Sequence, residues 1–175
     1  MKIENKKIVE LSNIPEAKIY FNTKWFLKHS MGKNMNIADI MIRLLAIENY
    51  YGKNDFGFKL YNKMQKIRVE ANPNIPQYRA NNEERFKQII KSFETNKFIE
   101  KYPIIINEDF KLFDGTHRLS CSIFFNIKQI PVKFEERTIE RHPDYSLKWF
   151  EDVGLGNYIP IIKRKYKEII RGKYE

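Results

Sequence analysis

The sequence predicts an α/β domain in which helices cover a small mixed sheet, with an N-terminal helical hairpin and a C-terminal helix packed onto it. Three observations predict this fold class. Apolar residues recur at helical spacing in several segments, short runs of Ile, Val and Phe bounded by turn residues indicate strands, and both patterns follow one another after residue 76. A chain of 175 residues with 42% hydrophobic residues is large enough to close a core.

The first third of the chain predicts two short extended segments followed by a pair of helices. Residues 7–11 and 17–21 are the extended candidates. Apolar side chains spaced three and four apart predict a helix over 36–51, which begins with a suitable capping asparagine and is closed by Gly52. Similar spacing over 57–67 predicts a partner helix. Together these helices form a hairpin of roughly 30 residues.

A change of pattern follows the segment 72–76, because its asparagines and prolines break a helix. Beyond it the sequence predicts a helix from Asn81 or Asn82 to Asn96, a strand over 103–106, a strand over 110–113, a helix over 116–125 and a strand over 130–134. Pro131 indicates that the last strand lies at an edge of the sheet or has only just begun.

The chain is therefore expected to have three parts. Residues 1–67 form an N-terminal extension with the hairpin, and residues 68–135 form the core. Residues 136–175 form a C-terminal extension, whose amphipathic helix around 161–170 is expected to pack on the core.

Charge and cysteine content exclude several classes of protein. The chain has 32 Lys+Arg and 22 Asp+Glu, and the resulting net charge of +10 favours binding to polyanions. Basic residues scattered along the whole chain are also typical of an ordinary solvated surface. No apolar run approaches the roughly 20 residues of a membrane span, so we expect a cytoplasmic protein with no membrane partner. Cys121 alone cannot form an internal disulfide, a cysteine zinc cluster or a redox pair with a second cysteine.

The most informative motif is Phe-Asp-Gly-Thr-His-Arg at 113–118, between a predicted strand and a predicted helix. Gly115 permits a sharp turn, and the first amides of a helix are free to bind an anion. His117 and Arg118 add donors suited to a phosphate. Asp114 would repel that phosphate without a metal ion, which indicates a magnesium ligand or a contact to a substrate hydroxyl. The residues leave open an ordinary turn in which Asp114 caps the helix.

The order of motifs resembles the ParB/sulfiredoxin fold, a small α/β nucleotide-binding domain. The resemblance covers about residues 68–135 and rests on an ordered set of motifs, namely Arg79, the helix from Glu83 to Asn96, Tyr102-Pro-Ile-Ile-Ile, the motif at 113–118 and Ile130-Pro-Val. In sulfiredoxins the catalytic cysteine occupies the position of Thr116, so this chain lacks the thiolate of that chemistry. Cys121 lies more than one helical turn further on.

Two other branches of the family are distinguished by the same motif. Chromosome-partition ParB proteins have Gly-x-Arg-Arg, use CTP and continue into a helix-turn-helix region. Here His117 replaces the first Arg, and the roughly forty residues after Phe134 are too few for such a region. The free-serine kinase branch has Asp-Gly-His-His-Arg. The chain is most similar to this branch, from which it departs only at Thr116.

This resemblance implies a phosphotransferase that uses ATP, or another nucleoside triphosphate, and Mg²⁺ to phosphorylate a small hydroxyl-bearing metabolite such as free serine. It implies that the cofactor-binding residues are those of the helix start, Gly115, Thr116, His117 and Arg118. Asp114 would be a metal ligand or place the acceptor, Glu83 or Glu84 would take the hydroxyl proton, and Arg79 would bind substrate.

Other interpretations of these residues remain open. Glu83 and Glu84 are also favoured in any first helical turn by the helix dipole, and Arg79 in a polar loop is commonly solvated. The alternative function is a ParB-like nucleotide-dependent protein that binds nucleic acid or a protein partner and hydrolyses its nucleotide slowly or not at all. A third possibility is a ParB-like nuclease, but the sequence shows no evident cluster of carboxylates that could hold the two metal ions of such an enzyme.

Overall fold

The computed structural model describes residues 19–23, 26–27, 37–96, 102–107, 112–135 and 146–172. Within them it is a mixed α/β protein with six α-helices and one four-stranded sheet. The elements are β1 (Ile19–Asn22), α1 (Ile37–Tyr50), α2 (Gly57–Ala71), α3 (Glu83–Asn96), β2 (Ile104–Ile106), β3 (Leu112–Asp114), α4 (Thr116–Phe124), β4 (Gln129–Phe134), α5 (Leu147–Asp152) and α6 (Ile159–Ile170). Short 3-10 helices span Gln77–Asn81 and Gly156–Tyr158. The predicted segment 7–11 lies outside the described residues.

The sheet has the strand order β1-β4-β2-β3. Strand β4 is parallel to β2, with Ile104 opposite Val132, and antiparallel to β1, with Ile19 opposite Val132. The prediction that Pro131 marks an edge strand or the beginning of a strand is therefore wrong, because it is the third residue of a central strand. A proline is accommodated there because β2 begins opposite Val132, so Pro131 precedes the part of β4 that pairs on both sides.

The predicted helical hairpin is present as α1 and α2, which pack directly against each other. A Cβ atom at Gly57 would lie 2.1 Å from the carbonyl oxygen of Leu45, so only glycine allows this approach. The connecting turn is held by the side chains of Asn49 and Asn54, whose oxygens accept the amides of Phe58 and Gly57 at 3.0 and 2.8 Å. These asparagines therefore serve the turn itself.

Helix α2 is four residues longer than predicted and ends at Ala71. Its extension is stabilised by Val69, which is buried, and Pro73 follows soon after the end. The helix thus continues through residue 68, where the predicted core begins.

One apolar core joins the helices to the sheet. It contains buried side chains from every part of the described chain, among them Phe26, Leu44, Leu60, Phe86, Ile104, Leu119, Ile130, Phe150 and Ile162. Helix α4 packs against both α1 and α3, so the hairpin lies directly behind the motif at 113–118. None of the helices in the described residues is long and apolar enough to cross a membrane.

Candidate functional site

The turn between β3 and α4 has the geometry expected of an anion-binding helix start. Gly115 adopts a φ of +103° at the N-cap of α4, and among the described residues no side chain accepts a hydrogen bond from the first amides of the helix. A Cβ atom at Gly115 would lie 3.1 Å from Cγ1 and 3.2 Å from Cα of Ile104, so the turn sits directly on β2. The amides of Thr116, His117 and Arg118 begin the helix and have no intrahelical acceptor.

Asp114 binds Arg118 and does not cap the helix. Nη2 of Arg118 donates to Oδ2 of Asp114 at 2.9 Å, one turn apart. The Asp114 carboxylate is largely exposed, with 70% of its side-chain surface accessible, whereas Arg118 is mostly covered. An arginine on one carboxylate oxygen offsets the charge that would otherwise repel a phosphate at this rim.

His117 contacts two aromatic rings of the neighbouring helices. Its ring centroid lies 4.5 Å from that of Phe86 in α3 and 5.7 Å from that of Tyr61 in α2. The Nε2 atom of His117 is 2.7 Å from the hydroxyl oxygen of Tyr61. Burial, and then the charges of surrounding arginines, hold the pKa of His117 well below its usual value. The imidazole is therefore neutral at neutral pH and acts here as a polar donor and acceptor.

Four arginines from four different elements act on His117 through their charges. They are Arg43 of α1, Arg79 of the 3-10 helix, Arg85 of α3 and Arg118 of α4, and each lowers the pKa of His117 through its charge.

The carboxylate partners of these arginines are unevenly distributed. Arg43 is buried and bound to Asp39, and Arg118 is bound to Asp114. Within the described part of the chain, neither Arg79 nor Arg85 has a carboxylate within ion-pair distance. The excess of guanidinium groups makes this region electrostatically suited to an anion with several charges.

The structure distinguishes the two predicted acidic residues at the start of α3. Glu83 is partly buried, accepts a hydrogen bond from Asn62 of α2, and lies 2.6 Å from Nζ of Lys87. Burial alone would raise the pKa of Glu83, but the hydrogen bonds from Lys87 and Asn62 outweigh it and the pKa is lowered. Glu84 is 81% exposed, and its Oε1 lies 3.0 Å from Nζ of the same Lys87.

The predicted site residues thus fall into three groups. The five residues 114–118 form one turn, and Glu83 lies one helical turn before Phe86, which contacts His117. Arg79 is exposed on the 3-10 helix but is close enough to influence His117 electrostatically. Glu84 faces solvent.

Sequence reasoning missed three residues on the other side of the site. Tyr61 and Arg43 belong to helices that the sequence placed in the N-terminal extension, and Arg85 follows the two glutamates that were singled out at the start of its helix. A signal was available at Arg43, because a charged residue within the apolar stretch Ile40–Ile47 is unusual and is 3% exposed in the structure.

The donor set bears on the implied magnesium ion. Within the described ranges, no three His, Cys, Asp or Glu side chains are grouped so that they could hold a metal. Mg²⁺ commonly takes one or two protein carboxylates and completes its shell with water and substrate phosphates. Asp114, exposed and with Arg118 on only one of its oxygens, fits that kind of site. Cys121 is buried, and burial raises the pKa of its thiol, so it is a protonated core residue.

Comparisons with known proteins identify no relative of the chain: no family model matches it, and neither the curated proteins nor the solved structures give a significant match. The residues of the site combine a helix start with free first amides, several arginines and two carboxylates in unequal environments.

Proposed function

We propose that the chain is an ATP- and magnesium-dependent phosphotransferase of the ParB/sulfiredoxin-like fold, which phosphorylates the hydroxyl group of a small metabolite such as free serine. The observation that carries this proposal is the start of α4 at Gly115, where the first amides of the helix, His117 and the Arg118–Asp114 ion pair belong to one turn.

The helix start suits the phosphate groups of a nucleoside triphosphate. The first three backbone amides of α4 are neutral donors that can bind phosphate oxygens directly, and the helix dipole favours an anion at this end of the helix. Arg118 contributes a guanidinium at the same turn, while Arg79 and Arg85 add positive charge from neighbouring elements. Phosphoryl transfer requires mainly this kind of positioning and charge neutralisation from a protein.

Glu83 is the better candidate for the carboxylate that accepts the proton of the acceptor hydroxyl. Glu83 is ionised at neutral pH, as a proton acceptor must be, and the hydrogen bonds from Asn62 and Lys87 fix the orientation of its carboxylate. In this mechanism Glu83 accepts the hydroxyl proton as the acceptor oxygen bonds to the transferred phosphorus, and the nucleoside diphosphate leaves. Glu84 lacks this support because its side chain is exposed.

Asp114 is the residue that would hold magnesium. When bound there, the ion would supply positive charge to the phosphate oxygens. The ion pair with Arg118 orients the Asp114 carboxylate at the turn that leads into α4.

The experiment is a transfer assay with purified full-length chain, MgATP and a panel of small alcohols that includes L-serine. We expect a phosphorylated alcohol and ADP in equal amounts. Glu83→Gln should lower kcat by about two to three orders of magnitude with little effect on KM, since it removes the proton acceptor. Glu84→Gln is the matched control and should leave both constants nearly unchanged. The proposal is wrong if no alcohol is phosphorylated and Asp114→Asn leaves nucleotide turnover unchanged.

A second candidate function is a nucleotide-responsive protein that binds nucleic acid. The net charge of +10 and the two arginines without carboxylate partners in the described residues, Arg79 and Arg85, favour it. Binding of duplex DNA that weakens steeply with added salt, in the absence of alcohol phosphorylation, would identify this function instead.

A further inference from the structure

The hydroxyl group of Tyr61 connects the N-terminal hairpin to the helix start. Tyr61 is fully buried in α2, and its oxygen has two polar neighbours, Nε2 of His117 at 2.7 Å and Nε2 of Gln65 at 3.2 Å. Gln65 is also buried and lies one turn further along the same helix. The three side chains form a chain of hydrogen bonds that ends at the second residue of α4.

The roles of donor and acceptor in this chain follow from counting protons. A tyrosine hydroxyl has one proton and two lone pairs, and Gln65 donates its amide proton to one of the lone pairs. If Nε2 of His117 also donated, the hydroxyl proton of a fully buried tyrosine would have no acceptor, which costs roughly 1–3 kcal/mol. Because Gln65 already donates to the hydroxyl oxygen, the Tyr61 hydroxyl is fully satisfied when it donates its own proton to an unprotonated Nε2.

We infer that Tyr61 is a positioning residue that fixes His117 in the tautomer protonated at Nδ1, so that this ring nitrogen is available to donate a hydrogen bond to the anion at the helix start. This inference rests on the phosphate-binding role proposed above. Nδ1 has no hydrogen-bond partner among the described residues, and His117 is only partly buried. A neutral ring in the other tautomer would instead present a lone pair at Nδ1, which repels an anion.

The packing of Tyr61 supports a positioning role. Its ring lies 5.3 Å from that of Phe86, and Phe86 also contacts the ring of His117. The guanidinium carbon of Arg43 lies 5.5 Å from the centre of the Tyr61 ring. These contacts keep the hydroxyl oxygen in place beside Nε2, so the tautomer is determined before any ligand arrives.

The direct test is ¹⁵N NMR of the histidine rings in the full-length chain at neutral pH without ligand, with the His117 signals assigned by their loss in His117→Gln. We expect a neutral ring with a proton on Nδ1 and a shift at Nε2 typical of an unprotonated nitrogen. A proton on Nε2, or a cationic ring, overturns the inference. This measurement does not depend on whether the chain phosphorylates anything.

The second part of the test links the tautomer to binding. Tyr61→Phe keeps the aromatic ring and removes the hydroxyl, and it should allow a proton on Nε2 and weaken MgATP binding by roughly tenfold, as expected for losing a hydrogen bond to a charged group. Tyr166→Phe, a partly buried tyrosine of α6, is the control and should change neither.

The outcomes separate this inference from the proposed function. If Tyr61→Phe changes the tautomer but not MgATP affinity, the positioning role is wrong. If the native chain shows the Nδ1 tautomer but binds no MgATP, the proposed function fails, and the positioning of His117 toward a nucleotide fails with it.

Discussion

Lys165 of α6 and Glu48 of α1 form an ion pair inside the protein, with 2.6 Å between Nζ and Oε1. The two side chains are only 4% and 9% exposed. Lys165 also lies 3.0 Å from Oε2 of Glu168, so its ammonium group is shared by two carboxylates. Because the partners are 117 residues apart in the sequence, this pair attaches the last helix to the hairpin that lies behind the candidate site.

Breaking this pair should destabilise the whole fold. Removing one partner leaves an uncompensated charge in the interior, so Lys165→Met should lower the free energy of unfolding by about 3–5 kcal/mol. The double variant Lys165→Met with Glu48→Leu removes both charges and should recover most of that loss. Urea unfolding of the single and double variants measures both values, and a double variant as unstable as the single one would contradict the assignment.

Alanine variants at Gly115 and Gly52 separate the cost of backbone strain from the cost of a steric contact between an added Cβ atom and its neighbours. Gly115 and Gly52 both have positive φ, +103° and +70°, but of these two only Gly115 would bring an added Cβ atom within 4 Å of other atoms. Gly52→Ala should therefore cost about 1–2 kcal/mol of stability through strain alone. Gly115→Ala should cost about 1–3 kcal/mol more, because the Cβ atom presses on Ile104.

Thermal and urea unfolding of these two alanine variants give the difference directly. Gly115→Ala should also weaken MgATP binding, since any relief of the contact with Ile104 shifts the amides of the helix start. Equal stability of the two variants would show that the contact with Ile104 is not close.

The neutral state of His117 should appear in the pH dependence of stability. Its pKa is lowered in the folded chain from about 6.5 in the unfolded chain, so the unfolded state binds more protons as the pH falls. The contribution of His117 to the free energy of unfolding is fully present above about pH 6.5. At lower pH it is lost with a slope of up to about 1.4 kcal/mol per pH unit.

Urea unfolding between about pH 8 and pH 5 measures this slope, and His117→Gln should remove that part of it. The lowered pKa of Glu83 acts at more acidic pH, below the range of this experiment. A slope unchanged in His117→Gln would mean that the imidazole is protonated in the folded chain as readily as in the unfolded one.

The arginines around His117 should act through their charge. Replacing Arg79 or Arg85 by Gln removes a nearby positive charge, so the pKa of His117 should rise toward its usual value, and MgATP should bind more weakly. NMR titration of His117 and calorimetry measure the two effects. Lys148→Gln, an exposed residue paired with Asp152, is the control and should change neither quantity.

Several helices could be predicted from the sequence to within one or two residues. The predicted helix over 36–51 is found as Ile37–Tyr50, and the predicted helix over 116–125 is found as Thr116–Phe124. Both have a regular apolar repeat and a clear end signal, which are local properties of the sequence. Helix α5 was not predicted because six residues are too few for such a repeat, although Ser146, which accepts the amide of Trp149, is a recognisable cap.

Relations between distant residues could not be predicted in the same way. The central position of β4 depends on strands on both sides of it, and a proline within a strand suggests the opposite. The motif at 113–118 pointed to the helix start, but the contacts of His117 with Tyr61 and Phe86 depend on how three helices pack. Local spacing carries no information about such packing.

The pairing of β1 with β4 has a consequence for the order in which the chain folds. Ile19 lies opposite Val132, so the pairing closes a loop of more than a hundred residues, whereas α1 and α2 meet through a short turn. Contacts between residues close in sequence form faster than those that close long loops. The hairpin is therefore expected to form early during synthesis on the ribosome, and strand β1 must wait until most of the polypeptide has emerged.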